Sequence, residues 1–277
     1  MTNQQSPGEL FAQAYAKDGE RAEVHFDYTI TDAFQPGKER PRWTVRNLFS
    51  KRRVDPGSTT VRTWCETRPA DGEAERVTES DLRREAAFRF GMAKFPVEPI
   101  QGWVQLPPEL ADDTEALARF IDRRLLVRLA TAENQALSIG PNGVVSHPEV
   151  ARLPYTGTYT EGLLAACDQI EQTGATAHAM IVNPYDYYTH LMMSGSVMDE
   201  FARNEVKICR TRMIEPGCVL VGDFSVAAQL LDAERSVIRI AEPPEGTFAE
   251  PGVAVCAQVH EGVALNLPTH FFYAVPA

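Results

Sequence analysis

Several features that carry chemistry in common enzymes are missing from this sequence. It has no CxxC pair, no cysteine–histidine spacing typical of zinc, and no GxSxG, HExxH, P-loop or strand-linked GxGxxG motif. Positive charge is scarce: 27 Lys and Arg face 38 Asp and Glu, and the net charge of −11 argues against a protein that wraps nucleic acid. No apolar run reaches the ~20 residues of a membrane helix, and the polar start from Met1 to Gly8 does not resemble a signal peptide. We expect a soluble, cytoplasmic protein without a membrane or specific nucleic-acid partner.

The five cysteines are widely spaced and odd in number, which favours a reduced, intracellular setting. A hydrolase built on a Cys167–His178 or Cys256–His260 pair is conceivable, but no spacing fixes either geometry. Asp223 follows Gly222 as a turn residue would, although a catalytic or metal-binding carboxylate is the alternative. We therefore predict no enzymatic activity, no catalytic residues, no cofactor and no metal, with a soluble hydrolase as the alternative.

What the sequence does contain is one long amphipathic stretch, predicted as a helix over residues 114–137. Its apolar residues recur at steps of three or four, and an aspartate at 112 or 113 can cap its start. At 1.5 Å per residue such a helix is roughly 36 Å long, which suits the spine of a flat subunit.

The first forty residues are predicted to form an arm. Ser6, Pro7 and Glu9 form a helix-start signature, and the short helix that follows presents an apolar face containing Phe11 and Tyr15. Residues 24–30 then alternate as in a half-buried strand. Isolated elements this short are marginal in water, so we expect them to pack against other surfaces, with Phe26 and Tyr28 on the contacting side.

Residues 42–98 are predicted to contain a long hairpin. Residues 59–66 have the composition of a strand. Residues 80–95 fit either a helix, through Leu82, Ala86 and Phe90, or a strand, through the alternation of Phe88, Phe90 and Met92, and we favour a strand near Phe88. A long two-stranded element cannot bury both of its faces within its own subunit, so it requires a partner surface.

The second half of the chain indicates an α/β arrangement. A helix over 160–172, capped by Thr160, precedes a buried strand at 177–182, and a helix over 185–193 follows and is broken at 194–196. Residues 225–231 are predicted to be helical or looped, and 140–158 to be loop.

Four motifs in order then resemble a known fold. They are the Pro107–Pro108 approach to the long helix, the strand–Asn183–Pro184–helix unit, the strand that ends in Gly222–Asp223–Phe224, and the closing segment from Val263 to Pro276. From about Thr59 onward the chain resembles the tailed-phage major capsid proteins of the Hong Kong 97 type, an α+β fold. The resemblance implies a homo-oligomeric, icosahedral shell and the following division of the chain: N-terminal arm 1–41, extended-loop region 42–98, peripheral domain 99–151 with the spine helix 114–137, axial domain 152–235, and closing strands 236–277 shared by both domains.

The same resemblance implies site residues. The pore positions that it implies near a symmetry axis are Ser194, Gly195, Ser196 and Asp199. The implied cargo contacts are Phe11 and Tyr15, and the implied inter-subunit contacts of arm and loop are Phe26, Tyr28, Phe88 and Phe90. Only about forty residues precede the loop region, so we expect no long scaffolding segment. Within the fold we therefore favour an encapsulin-type nanocompartment in the cytoplasm, which encloses cargo enzymes and admits small molecules through pores. The alternative is the major capsid protein of a phage or prophage.

Overall fold

The structure is a computed structural model that describes residues 5–26, 44–67, 89–110, 112–233, 236–242, 245 and 253–277. The helices within these residues are α1 (Pro7–Asp18), α2 (Thr114–Phe120), α3 (Leu126–Ser138), α4 (Tyr159–Gln172), α5 (Pro184–Asp186) and α6 (Gly195–Arg203). Two π-helical turns continue α2 and α5, at Ile121–Leu125 and Tyr187–Leu191.

Thirteen strands lie within the described residues. They are β1 (Glu23–His25), β2 (Ser50–Arg53), β3 (Thr60–Thr67), β4 (Arg89–Pro96), β5 (Glu98–Gln105), β6 (Ala151–Tyr155), β7 (Ala179–Val182), β8 (Lys207–Arg210), β9 (Val219–Gly222), β10 (Ala228–Asp232), β11 (Val237–Ile240), β12 (Ala254–Leu265) and β13 (Phe271–Pro276). The first sheet has the order β1-β11-β12-β10-β2, and β5 pairs with β12. The second sheet has the order β6-β13-β9-β7-β8, and β3 and β4 form a separate antiparallel hairpin.

The long predicted helix is present as α2, the π turn and α3, which together span residues 114–138 and are called the spine below. Asp113 caps it by accepting hydrogen bonds from the backbone N–H groups of Glu115 and Ala116. One side of the spine is fully buried, including Ile121, Leu125 and Leu129. A π turn inserts one extra residue into the hydrogen-bonding ladder, which hydrophobic periodicity does not reveal.

The spine lies directly on strand β5 of the first sheet. A Cβ built on Gly102 would lie only 2.5 Å from the Leu129 backbone nitrogen and 2.7 Å from its Cα. Glycine at this position therefore lets helix and strand backbones approach closely, and the main hydrophobic core fills the space around this contact.

The second sheet separates two layers of apolar side chains. One face belongs to the main core, while the other carries α4, the π turn after α5, and α6 over a second core that includes Leu163, Ile170 and Leu191. Helix α4 contacts β6, β9 and β13, so it lies toward the β6 end of the sheet.

Several sequence predictions need correction. Residues 225–231 contain strand β10, because the buried Leu230 and Leu231 pair with β12 rather than forming a helical face. Residues 140–158 contain strand β6. The helix break predicted at 194–196 falls at 192–194, and Gly195 and Ser196 already open helix α6. The cap of α4 is Thr158 and not Thr160, since the Thr158 hydroxyl and Glu161 form the reciprocal capping box.

Candidate assembly surfaces

The β3–β4 hairpin carries three large apolar side chains on one exposed face. Trp64 lies opposite Met92 in the antiparallel register, and Phe90 lies opposite Glu66 on the same face. Their exposed fractions are 61% for Trp64, 60% for Phe90 and 56% for Met92. Exposed aromatic side chains placed together on a regular element mark a surface for protein contact.

The other face of the hairpin is covered by the subunit itself. Cys65 and Phe95 are buried in the main core, with Val61 packed beside them. Asn266 holds strand β3 near the Thr67 end of the hairpin, since its Nδ2 donates to the Trp64 carbonyl oxygen at 2.7 Å and its own carbonyl accepts from the Glu66 N–H at 2.8 Å. The hairpin is therefore held at one end and presents its aromatic face outward.

Two of the four predicted inter-subunit contacts, Tyr28 and Phe88, lie outside the described residues. Phe90 is on the exposed hairpin face, where the prediction requires it. Phe26 is partly buried against the main core of its own subunit, at the end of the short β1–β11 pairing. Met92 belongs to the same alternation along β4 as Phe90, whereas Trp64 lies on β3 and was not singled out from the sequence.

Helix α1 packs on the spine of its own subunit. The predicted capping box is confirmed, since the Ser6 hydroxyl accepts from the Glu9 N–H and the Glu9 carboxylate accepts from the Ser6 N–H. Phe11 is 0% exposed, and its ring is stacked on that of Tyr15 with 6.3 Å between centroids. Of the two implied cargo contacts, only the partly buried Tyr15 offers surface while α1 is in this position.

The docking point of α1 is the π turn of the spine. The Gly8 N–H donates to the Asp122 carboxylate at 2.8 Å, and a Cβ on Gly8 would overlap the Ala118 carbonyl oxygen. Gly8 therefore permits backbone contact, and Asp122 supplies a negative charge near the N-terminus of α1.

A buried group of charges joins four elements beneath the spine. Arg46, just before β2, makes ion pairs with Asp232 at the end of β10 and with Glu261 of β12 at 2.9 Å, and its guanidinium lies 3.6 Å from Glu133 of the spine. Lys51 Nζ, half exposed, lies 2.9 Å from Asp232. Burial is the largest influence on the Glu261 carboxyl and raises its pKa, although the nearby Arg46 guanidinium opposes this.

This arrangement places three carboxyl groups against two cations in a nearly water-free site. No sequence pattern indicates it, because the members come from four separate elements.

The β8 end of the second sheet exposes a further aromatic surface. Arg210 of β8 lies over the Tyr187 ring, with Cζ 4.7 Å from the centroid, and donates to the Tyr188 hydroxyl at 3.0 Å. Tyr185, Tyr188, Met192 and Met193 are exposed here.

Beneath this surface, His190 stacks on Tyr159 with 5.3 Å between ring centroids. The buried Asp186 accepts from the Gly217 N–H at 2.8 Å, and burial raises its pKa. The ring stacking holds the π turn against helix α4, and the backbone contact holds its start against the turn before β9.

The four implied pore residues lie together at the start of α6. Ser194 precedes the helix and donates to the His190 carbonyl oxygen at 3.1 Å, while Gly195, Ser196 and Asp199 are exposed on its first turns. They occupy a helix start rather than the loop that the sequence suggested. Met193 beside them is 80% exposed.

The described residues offer no support for the hydrolase alternative. Burial raises the pKa of Cys167 to about 12 and that of Cys256 to about 11, so neither thiol ionises at neutral pH. Asp223 acts as a turn residue, since its Oδ1 accepts from the Ser225 hydroxyl at 2.9 Å and the Val226 N–H at 3.2 Å. Within the described ranges no group of three His, Cys, Asp or Glu side chains is arranged to hold a metal ion, and no helix there is long and apolar enough to cross a bilayer.

An exposed hairpin, a spine helix on a sheet and a second helix-covered sheet are the parts of a capsid-type subunit. Residues 37–215 match the Phage capsid family, and the chain belongs to that family. The major capsid protein of Enterobacteria phage HK97 is 22% identical over an alignment of 260 residues, which covers 87% of this chain and 66% of that protein. The chain thus spans just under two thirds of the length of this relative.

Comparison with solved structures shows that this chain has the Hong Kong 97-type capsid fold. The virus-like particle from Pyrococcus furiosus has a TM-score of 0.59 at 14% identity, with 84% of this chain and 92% of that chain covered. The capsid of an empty GTA particle has a TM-score of 0.56 at 14% identity, with 98% and 100% covered. The Mycobacterium phage Ogopogo structure has a TM-score of 0.53 at 14% identity, with 86% and 94% covered.

Proposed function

We propose that copies of this chain assemble into a closed icosahedral shell, an encapsulin-type nanocompartment that encloses protein cargo. The observation that carries the shell proposal is the aromatic face of the β3–β4 hairpin, which lies outside its own subunit's core. A second copy is the proposed partner for this face. Full burial of each such side chain contributes about 1.5–3 kcal/mol, and this gain recurs at every copy in the shell.

The proposed division of the chain follows the sequence prediction. Residues 99–151 would form the peripheral part around the spine and 152–235 the axial part around the second sheet. In that arrangement the exposed start of α6, with Gly195, Ser196 and Asp199, would line a pore at a symmetry axis. The exposed part of Tyr15 on α1 would contact cargo.

The net charge of −11 supports a protein cargo over a nucleic-acid one, because an acidic shell repels a polyanion at short range. The second candidate function is the major capsid protein of a phage or prophage. The 22% identity to the HK97 major capsid protein, over 87% of this chain, favours that candidate.

Negative-stain electron microscopy of the purified recombinant protein tests the shell, with light scattering for mass. Uniform hollow spheres are expected, and a monomer or small oligomer at every protein concentration would contradict the proposal. The ratio of absorbance at 260 and 280 nm then distinguishes a shell that encloses protein from a capsid that packages nucleic acid. A ratio typical of protein supports the nanocompartment, and a nuclease-protected nucleic-acid signal supports the phage capsid.

A further inference from the structure

Charge is distributed very unevenly around the second sheet. Between Arg152 and Arg203 the sequence contains no Lys or Arg, although it has six acidic residues there: Glu161, Asp168, Glu171, Asp186, Asp199 and Glu200. The next nine residues contain Lys207, Arg210 and Arg212 against Glu205 alone.

The sheet order places only the three acidic residues of α4 at the end opposite the basic group, since Asp186 is buried and Asp199 and Glu200 lie on α6. The exposed Arg152 of β6 also lies at the α4 end. Arg210 is on β8, the terminal strand at one end, and Arg212 is exposed just after it. At the other end α4 lies over β6 and β13, and its exposed stripe contains Glu161, Asp168 and Glu171 around the exposed Leu164. Each end also offers apolar surface, with Tyr185 and Tyr188 beside Arg210.

From this geometry we infer that neighbouring copies dock head to tail around a symmetry axis, with the β8 end of one copy against helix α4 of the next. The inference rests on the proposed shell and names the contacting surfaces of its axial part. A two-fold contact between identical ends would place like charges together, whereas a head-to-tail contact pairs opposite charges and generates a ring. Complementary charge steers the encounter and fixes the register, while the tyrosines and Leu164 supply apolar area.

Arg210 is preorganised for this role. Its guanidinium is held between the Tyr187 ring and the Tyr188 hydroxyl, so little side-chain freedom is lost when a carboxylate from another copy approaches. Asp168 accepts from Gln172 Nε2 at 2.7 Å, which orients the carboxylate on the exposed side of α4.

A charge swap tests the pairing, since every copy carries both ends. The double variant R210E/R212E and the double variant D168K/E171K should each lower the assembled fraction at least tenfold, as measured by sedimentation velocity. Combining all four substitutions should restore assembly to near the wild-type level. The D168K/E171K variant leaves the stacking of Arg210 on the tyrosines unchanged. It therefore keeps the test valid if R210E/R212E fails to fold.

The control R123E/R124E makes the same change in net charge at exposed positions of the spine and should assemble normally. Wild-type assembly should also slow as salt rises from 50 to 500 mM, because exposed charges are screened. Normal assembly of both double variants, or no recovery of assembly in the variant with all four substitutions, would overturn the head-to-tail docking. Either result would leave the proposed shell itself untouched. A wild-type chain that never assembles would instead refute the shell.

Discussion

Helix α1 and the β3–β4 hairpin are both amphipathic protrusions, yet their apolar faces have opposite surroundings. Phe11 of α1 is fully buried against the spine of its own subunit, while Trp64 of the hairpin is mostly exposed. The sequence predicted that both elements need an outside surface. The structure distinguishes them, because α1 finds its partner within the chain through Gly8 and Asp122.

The difference separates folding from assembly. Substitutions on surfaces that the subunit covers itself should lower the free energy of unfolding, whereas substitutions on the hairpin face should leave the subunit stable and remove its contacts with other copies. Unfolding is best measured in a chain that stays dispersed, and the hairpin variant W64S/F90S/M92S is expected to provide this background.

Arg46→Met should have the largest effect on folding. It leaves Glu133, Asp232 and Glu261 buried without their main cation, which costs about 3–5 kcal/mol. Urea unfolding of the dispersed subunit measures this loss. A change below about 1 kcal/mol would mean that the buried charges are not coupled as described.

Phe11→Ala should cost about 3 kcal/mol, because it removes a fully buried ring between α1 and the spine. The loss is limited to the free energy that α1 gains by docking, so protease cleavage near residue 20 should rise as the helix detaches. As the matched change on the other protrusion, Phe90→Ala should alter the unfolding free energy by less than about 0.5 kcal/mol. Equal losses for Phe11→Ala and Phe90→Ala would remove the distinction.

The stability of the dispersed subunit should depend on pH through Glu261. Burial raises the pKa of this carboxyl above its ordinary value of 4.5, so the folded chain binds its proton more tightly than the unfolded chain. Stability is then fully present below pH 4.5 and is lost as pH rises from there through the folded pKa, by at most about 1.4 kcal/mol per pH unit.

Glu261→Gln keeps a neutral hydrogen-bonding group at this position, so it should flatten that pH dependence above pH 4.5. Unfolding curves at several pH values compare the two chains. An unchanged slope in the variant would show that another group titrates.

Lys51→Met should have the smallest effect, about 0–1 kcal/mol. Its ammonium is half exposed, and Asp232 keeps its buried partner Arg46. The contrast with Arg46→Met, on the same carboxylate, tests whether burial decides the strength of the pairing.

The sequence predicted the features that depend on one segment of the chain, and it missed those that depend on contacts between segments. Local rules located the Ser6 capping box, the spine and the first hairpin strand, because each depends on spacing within one segment. Strand β10 and helix α6 were missed, since β10 is specified by its pairing with β12 and α6 begins at a serine that donates backward instead of capping.

Sites assembled from distant segments were also beyond sequence reasoning. The Arg46 group joins residues from positions 46 to 261, and only the register of the hairpin places Trp64 on the same face as Phe90 and Met92. Phe90, by contrast, was predicted on the exposed side because alternation alone determines which face of a strand a side chain occupies.

Sedimentation velocity of W64S/F90S/M92S beside wild type tests the central claim most directly, with Trp64→Phe as the conservative control. The account predicts that wild type and Trp64→Phe sediment as large uniform particles, while the triple variant sediments as a small species with an unchanged unfolding free energy per subunit. Full-size particles from the triple variant would contradict the claim that the exposed hairpin face holds copies of this chain together.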